Sequence, residues 1–130
     1  MTPNDTTQFW LAAHQRLSDE AEVLRNSQAV TFGLLEIYDD LTLKEKKIVH
    51  SVLADWLVSD DNRLRYEAAF LTGERRISAM QPAVSRAIAR AQSLPGPEAK
   101  DEVEGLEGIL SELVDAAPKS VPSLKSRDTE

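Results

Sequence analysis

The residues of this chain that could bind a metal ion or catalyse a reaction are few. Its two histidines, His14 and His50, lie outside any HExxH or ExxH pattern, so a zinc site would need the fold to bring both together beside a carboxylate. The chain has no cysteine, which excludes thiolate zinc sites, disulfides and cysteine nucleophiles. We therefore predict neither a metal site nor a bound cofactor.

The serine, glycine and paired acidic residues also lack a catalytic arrangement. No serine lies in a GxSxG turn, and the five glycines are scattered rather than gathered in a phosphate-binding loop. The pairs Asp39-Asp40 and Asp60-Asp61 adjoin predicted helix ends, where short acidic side chains cap backbone N–H groups. Because no catalytic motif is assembled, we predict that the protein is not an enzyme.

The charged residues are distributed unevenly along the sequence. The chain has a net charge of −7, but residues 63–90 contain six arginines against two acidic residues. Residues 31–62 contain seven acidic residues against three bases, and residues 98–130 contain nine against four. An acidic protein has little general affinity for nucleic-acid phosphates. This charge suits a basic protein partner, and it also fits solubility alone.

Two groups of charged side chains are candidates for contact with a partner. An arginine can form two parallel hydrogen bonds with a carboxylate, within the fold or across an interface. We predict an internal contact for Arg65 and an outward-facing turn at Arg75 and Arg76. Four aspartates on predicted turns would form an acidic edge at one end of a helical stack, unless they act only as helix caps. The candidate partner-binding residues are Asp39, Asp40, Asp60, Asp61, Arg75 and Arg76.

The elements that carry these residues are predicted to be helices. Apolar residues recur at helical spacing through nearly the whole chain, and no segment alternates with period two. The clearest helix begins after Thr42, whose side chain forms a predicted capping box with Glu45. Its apolar stripe consists of Ile48, Val49, Val52, Leu53, Trp56 and Leu57.

Helix breaks set the number of helices. Gly73 is predicted to end one helix in a left-handed cap, Pro82 lies near the start of the next, and residues 93–97 separate the last two. A break near Ser18 would divide the first segment in two. The sequence thus predicts an all-α fold of five or six antiparallel helices, stacked as a short α-α superhelix or packed as a bundle.

Length and composition are those of one domain. With 130 residues, the chain is long enough for a single core, which we place in residues 1–115. From Ala116 onward, prolines, serines and charges replace the periodic pattern, which predicts a disordered tail over 116–130. No apolar run approaches the ~20 residues of a membrane span, and the start MTPNDTTQ lacks a secretory signal. We predict a cytoplasmic protein that does not enter a membrane.

Residues 59–92, SDDNRLRYEAAFLTGERRISAMQPAVSRAIARAQ, resemble one HEAT repeat. In that family an acidic turn precedes a helix with an arginine and paired alanines, and a proline stands near the start of the second helix. The matching positions are Asp60, Asp61, Arg65, Ala68, Ala69 and Pro82. The resemblance implies a HEAT-like stack, although the upstream pair of predicted helices shows no self-similarity to this one.

The middle of the chain, LLEIYDDLT through LVSDDNRLRYEAAFL, is also similar to small bacterial HEAT-like proteins. Some small acidic helical proteins of this sort are immunity partners of bacterial toxins. The resemblance implies a non-enzymatic protein-binding module, and in the immunity case the partner is a toxin. Two alternatives stay open at this point: a small regulatory nucleic-acid-binding protein that uses the arginine-rich segment, and a structural homodimer.

Overall fold

Helices account for nearly all of the described chain. The computed structural model describes residues 2–26 and 28–116, and no strand occurs in these ranges, so the all-α prediction is confirmed. Of the predicted disordered tail, all but Ala116 lies outside the described residues. The six α-helices are α1 (Pro3–Leu24), α2 (Gln28–Asp40), α3 (Leu43–Leu57), α4 (Asn62–Glu74), α5 (Gln81–Gln92) and α6 (Pro97–Ala116).

The first helix is continuous through Ser18, so of the two possibilities left open by the sequence, one long helix or two short ones, the structure shows one helix. It begins with a capping box, in which Oγ1 of Thr2 accepts the backbone N–H of Asp5 and the Asp5 carboxylate accepts that of Thr2. Pro3 occupies the first helical turn, where its missing N–H costs nothing. Because the buried residues Trp10, Ala13, Leu17 and Ala21 form one stripe on both sides of Ser18, packing favours a single helix.

The helix starts predicted for α3 and α4 are confirmed. Thr42 Oγ1 accepts the N–H of Glu45 at 3.2 Å, and Glu45 returns the contact to the Thr42 N–H at 2.9 Å. At α4, Oδ1 of Asp61 accepts the N–H groups of Arg63 and Leu64. These caps satisfy donors that a helix start would otherwise leave unpaired.

The end of α4 differs from the sequence prediction. Gly73 lies inside the helix, which continues to Glu74, and the left-handed residue is Arg76 (φ 46°). A Cβ atom at Gly73 would lie 3.4 Å from Cγ1 of Ile109 in α6. This distance is an ordinary van der Waals contact, so Gly73 is a helical position facing α6 and does not form the left-handed cap.

The helices pack as three successive pairs, α1 with α2, α3 with α4 and α5 with α6. Along one layer α1 contacts α3 and α3 contacts α5, while along the other α2 contacts α4 and α4 contacts α6. The predicted all-α packing of five or six helices is therefore confirmed, and a HEAT-like stack stays a prediction.

A single apolar core runs between the two layers. It includes Trp10 of α1, Leu34 of α2, Leu53 of α3 and Leu71 of α4, each with no exposed surface. Burying a side chain of this size contributes about 1.5–3 kcal/mol. In α5 the buried alanines Ala83, Ala87 and Ala91 allow α6 to approach closely.

No described helix combines the length and apolar character needed to cross a membrane.

Candidate functional site

Two of the predicted partner-binding residues bind each other. Nε of Arg75 donates to Oδ1 of Asp39 and an Nη of the same side chain donates to Oδ2, both at 2.8 Å. Arg75 follows α4 and Asp39 lies in the last turn of α2, so this two-pronged contact joins neighbouring helices at one end of the stack. The hydrogen bonds from Arg75 hold the pKa of Asp39 below its usual value.

The second aspartate pair has a structural role as well. Asp61 caps α4 through two backbone N–H groups, and Asp60 Oδ1 lies 3.6 Å from an Nη atom of Arg90 in α5. The Asp60 side chain is fully exposed, so this contact contributes little to stability. Helix capping accounts for Asp61 before any partner is considered.

The four aspartates do not meet in one acidic edge. Asp39 and Asp40 precede α3 and Asp60 and Asp61 follow it. Helix α3 has 15 residues, so its two ends are about 22 Å apart. Successive turns of an antiparallel stack alternate between its ends, so the two pairs lie at opposite ends. Asp40 and Arg76 are exposed and take part in no ion pair among the described residues.

The arginine-rich segment is partly neutralised within the fold. Arg65 donates through Nε to Glu102 of α6 at 3.1 Å and through Nη1 to the Ser59 carbonyl at 2.7 Å, which confirms its predicted internal contact. Arg75 is bound to Asp39, and Arg90 lies beside Asp60. Three of the six arginines are therefore engaged by carboxylates of the same chain.

The structure pairs His14 with a residue that the sequence analysis did not select. Its Nε2 atom lies 2.6 Å from Oε1 of Glu67 in α4, and the imidazole packs on Trp56 of α3 with ring centroids 4.7 Å apart. Glu67 is only 2% exposed. A buried carboxylate needs such a partner to offset its lost hydration. The pair links three helices and faces the interior, which favours a structural role.

A signal for this pair was present in the sequence. Glu67 falls on the core stripe of α4 with Leu64 and Leu71, at the i+3 position from one and the i−4 position from the other. His14 occupies the corresponding stripe of α1 beside Trp10. A polar residue on an apolar stripe indicates a buried polar partner elsewhere in the fold, although the stripe alone does not identify it.

His50 forms a second interhelical contact. Its Nε2 lies 2.7 Å from the hydroxyl of Tyr38 in α2. Burial lowers the pKa of His50, and the charge of Lys46 acts in the same direction. Burial, followed by the charge of Asp39, raises the pKa of Tyr38. Both shifts favour the neutral side chains, as suits a hydrogen bond between α2 and α3.

An apolar groove lies between α4 and α6, and we call it the α4/α6 groove. It has a volume of about 570 Å³, within the range of ligand-binding clefts. Buried Leu57 and Leu106 lie at its base. Its walls and rim are formed by Asn62, Arg65, Tyr66, Ala69, Phe70, Leu94, Pro95, Glu98, Ala99, Glu102, Gly105 and Ile109.

Aromatic side chains extend this groove across the surface. Tyr66 stacks on Phe70 with ring centroids 6.3 Å apart, and Phe70 meets Phe32 of α2 edge to face at 6.2 Å. Tyr66 is 61% exposed and Phe32 54%. We call these three residues the aromatic patch. Exposed rings held in contact with one another, next to an apolar groove, form a continuous surface of the kind that binds partners.

A second, more polar crevice lies on the other side of Tyr66, between α1, α2 and α4. It has a volume of about 610 Å³, and Asp19, Glu22, Arg63 and Glu67 are its charged lining residues. Within the described ranges, no group of three or more histidine, aspartate or glutamate side chains is placed to hold a metal ion.

Comparison of the chain with protein-family models, with curated protein sequences and with solved structures finds no match.

Proposed function

We propose that this protein is a non-enzymatic, cytoplasmic protein-binding module that contacts its partner through the α4/α6 groove and the aromatic patch. The observation that carries the proposal is the exposure of Tyr66, Phe32 and Leu94 around one apolar groove. Large exposed side chains on a folded domain are costly to leave in water when they are contiguous, and such surfaces mark binding sites.

The composition of this surface suits a protein interface. Tyrosine and phenylalanine are enriched at interfaces because they bury a large area with few rotatable bonds. Tyr66, Phe32 and Leu94 are each about half exposed, so covering them would supply roughly 1–1.5 kcal/mol for each side chain. The polar rim at Arg65, Glu98 and Glu102 would then set orientation rather than affinity.

Neutralisation of a toxin is our proposal for the biological setting. It rests on the resemblance to small bacterial HEAT-like and immunity proteins, and the net charge of −7 supports rapid encounter with a basic partner. Binding over the groove would block a toxin by covering its active surface. The pairing of Arg65, Arg75 and Arg90 with carboxylates makes nucleic-acid binding through the arginine-rich segment the weaker alternative.

Two glycine substitutions on α6 test the proposal. Gly105 lines the groove and Gly108 does not, yet a Cβ atom at either position would meet no atom within 4 Å. Gly105→Leu should fill the groove, and Gly108→Leu is its matched control, because both changes also raise helix propensity. The tagged wild-type protein and both variants would be used to capture partners from the cells that make the protein, and retained proteins would be compared by mass spectrometry.

We expect one stoichiometric partner that the wild type and Gly108→Leu retain and Gly105→Leu loses. Equal recovery by all three proteins would contradict binding at the groove. Recovery of the bait alone, together with a doubled mass in solution that Gly105→Leu restores to the monomer value, would favour the homodimer alternative instead.

A further inference from the structure

We propose that the α4/α6 groove receives an amphipathic helix of the partner whose apolar face is flanked by lysine or arginine on the side of α6. This inference deepens the proposed function and depends on it. The structural basis is the shape of the groove, the charge of one of its walls and the pairing of the one arginine that lines it.

The shape of the groove suits a short helix. Its α4 wall extends from Asn62 to Phe70, a rise of about 12 Å or roughly two helical turns. The two walls come together at Gly73 and Ile109, where a Cβ atom would already be in van der Waals contact. Gly105 carries no side chain, so the α6 wall has space at mid-length. A helix that presents apolar residues at i, i+3, i+4 and i+7 could place them along such a groove.

The charge of the groove determines which charge the partner helix should carry. Helix α6 carries seven acidic residues and a single base, Lys100, which gives it a net charge of −6. Glu98 and Glu102 of this helix lie on the groove itself. On the opposite wall, Arg65 is bound to Glu102 and to the Ser59 carbonyl, so the charges of Arg65 and Glu102 offset each other. Glu98 is then the charged groove residue that has no ion-pair partner among the described residues. The wall formed by α6 therefore attracts cationic side chains and repels anionic membranes and nucleic acids.

The test uses the full chain and a designed peptide. The probe is an amidated amphipathic peptide of about 14 residues with leucines at i, i+3, i+4 and i+7 and lysines on both flanks. One control peptide replaces every lysine by glutamate, and another keeps the lysine composition but scatters the leucines around the helix. Binding would be followed by the shifts of backbone amide NMR signals and by fluorescence anisotropy of a labelled peptide.

We expect the lysine peptide to shift the amide signals of Tyr66, Leu94 and Gly105, and both control peptides to bind at least about tenfold more weakly. Gly105→Leu should weaken binding of the lysine peptide by about tenfold or more, and Gly108→Leu should leave it unchanged. Glu98→Lys should weaken binding severalfold at low salt, whereas the same change at Glu112, outside the groove, should have little effect.

Several results would overturn the inference. Equal binding of the lysine and glutamate peptides would remove the charge selection, and equal binding of the scattered peptide would remove the helical face. Equal losses in Gly105→Leu and Gly108→Leu, or amide shifts confined to the polar crevice beside α1, would place the peptide elsewhere. If a captured partner is lost in Gly105→Leu but no lysine peptide binds, only this inference fails; if no partner depends on Gly105, the proposed function fails.

Discussion

Nε2 of His14 lies 2.6 Å from Oε1 of Glu67, and this contact joins α1 to α4 through the interior of the fold. The imidazole also packs on Trp56 of α3, so three helices of both layers meet at one polar pair. Because Glu67 is buried, loss of either partner leaves the other without its compensating contact. Such a pair fixes how the helices align even where its net contribution to stability is small.

We predict that His14→Ala lowers the free energy of unfolding by roughly 3–5 kcal/mol, because it leaves the buried Glu67 carboxylate without its partner. Glu67→Ala and the double variant complete a double-mutant cycle, with an expected coupling of about 1–3 kcal/mol. Urea denaturation measures the change in the free energy of unfolding for each variant. Arg16→Ala is the control, since the exposed Arg16–Glu20 pair at 3.7 Å should contribute less than about 0.5 kcal/mol. Additive losses at His14 and Glu67 would contradict their coupling.

A second prediction concerns the contact between α1 and α2. A Cβ atom at Gly33 would lie 2.6 Å from Cδ2 of the buried Leu17, so Gly33→Ala forces that side chain to move. We expect a net loss of up to about 2 kcal/mol, because the overpacking cost of roughly 1–3 kcal/mol outweighs the gain of about 1 kcal/mol in helix propensity. Gly108→Ala, with open space at its Cβ, should gain about 1 kcal/mol. Thermal denaturation followed by circular dichroism compares the two, and a stabilised Gly33→Ala variant would contradict this close approach.

Local sequence signals predicted the fold well where the physics is local. The capping box at Thr42 and the apolar stripe that ends at Leu57 depend on residues three or four positions apart, so they are visible in the sequence. The predicted end of α4 at Gly73 was wrong because the residue lies inside the helix and packs against Ile109, which is distant in sequence and adjacent only in the fold. Such tertiary contacts override local preference.

The candidate site was less predictable for the same reason. Asp39 and Arg75 were both selected as charged residues on turns, but their pairing depends on α2 and α4 being neighbours. The exposure of Tyr66 and Phe32 agrees with their positions off the apolar stripes of α4 and α2. Their contact through Phe70 depends on the packing of α2 against α4 and could not be inferred from periodicity. The α4/α6 groove depends on the distance between two helices. The residue pattern within either helix does not predict that distance.

The buried imidazole of His50 predicts a pH dependence of stability. Because burial lowers the pKa of His50 in the folded state, the unfolded chain binds more protons in the range between the folded and unfolded pKa values. Folding therefore becomes less favourable as protons bind to the unfolded chain. The stability associated with the neutral His50 side chain is fully present above the unfolded pKa of about 6.5 and is lost as the pH falls through the folded pKa. Urea titrations at several pH values between 5 and 8 should give a steeper rise for the wild type than for His50→Gln. Parallel curves would contradict a lowered pKa.

The pairing of Asp39 with Arg75 predicts the titration of one carboxyl group. Arg75→Gln should raise the pKa of Asp39 toward its ordinary value, because the hydrogen bonds from the guanidinium are the largest cause of its lowering. The carboxyl carbon signal in an NMR titration reports this change. The stability that the pair provides is present above the unfolded pKa and is lost as the pH falls through the folded value, and it should not exceed about 1 kcal/mol at this exposed position. An unchanged Asp39 titration would show that the pair does not form.

Asp40 and Arg76 give the last prediction, which concerns encounter with the partner. Both are exposed, so reversing their charges should alter association without disturbing the fold. With a basic partner, Asp40→Lys should slow association by roughly two- to fivefold and Arg76→Glu should speed it, while dissociation rates change little, because peripheral charges act on encounter rather than on the bound state. Rates measured at two salt concentrations should converge at the higher one as the charges are screened. If both variants slow association equally, the charges at this end of the stack do not distinguish a basic partner from an acidic one, and the prediction is wrong. If the dissociation rate changes instead, these residues lie inside the interface.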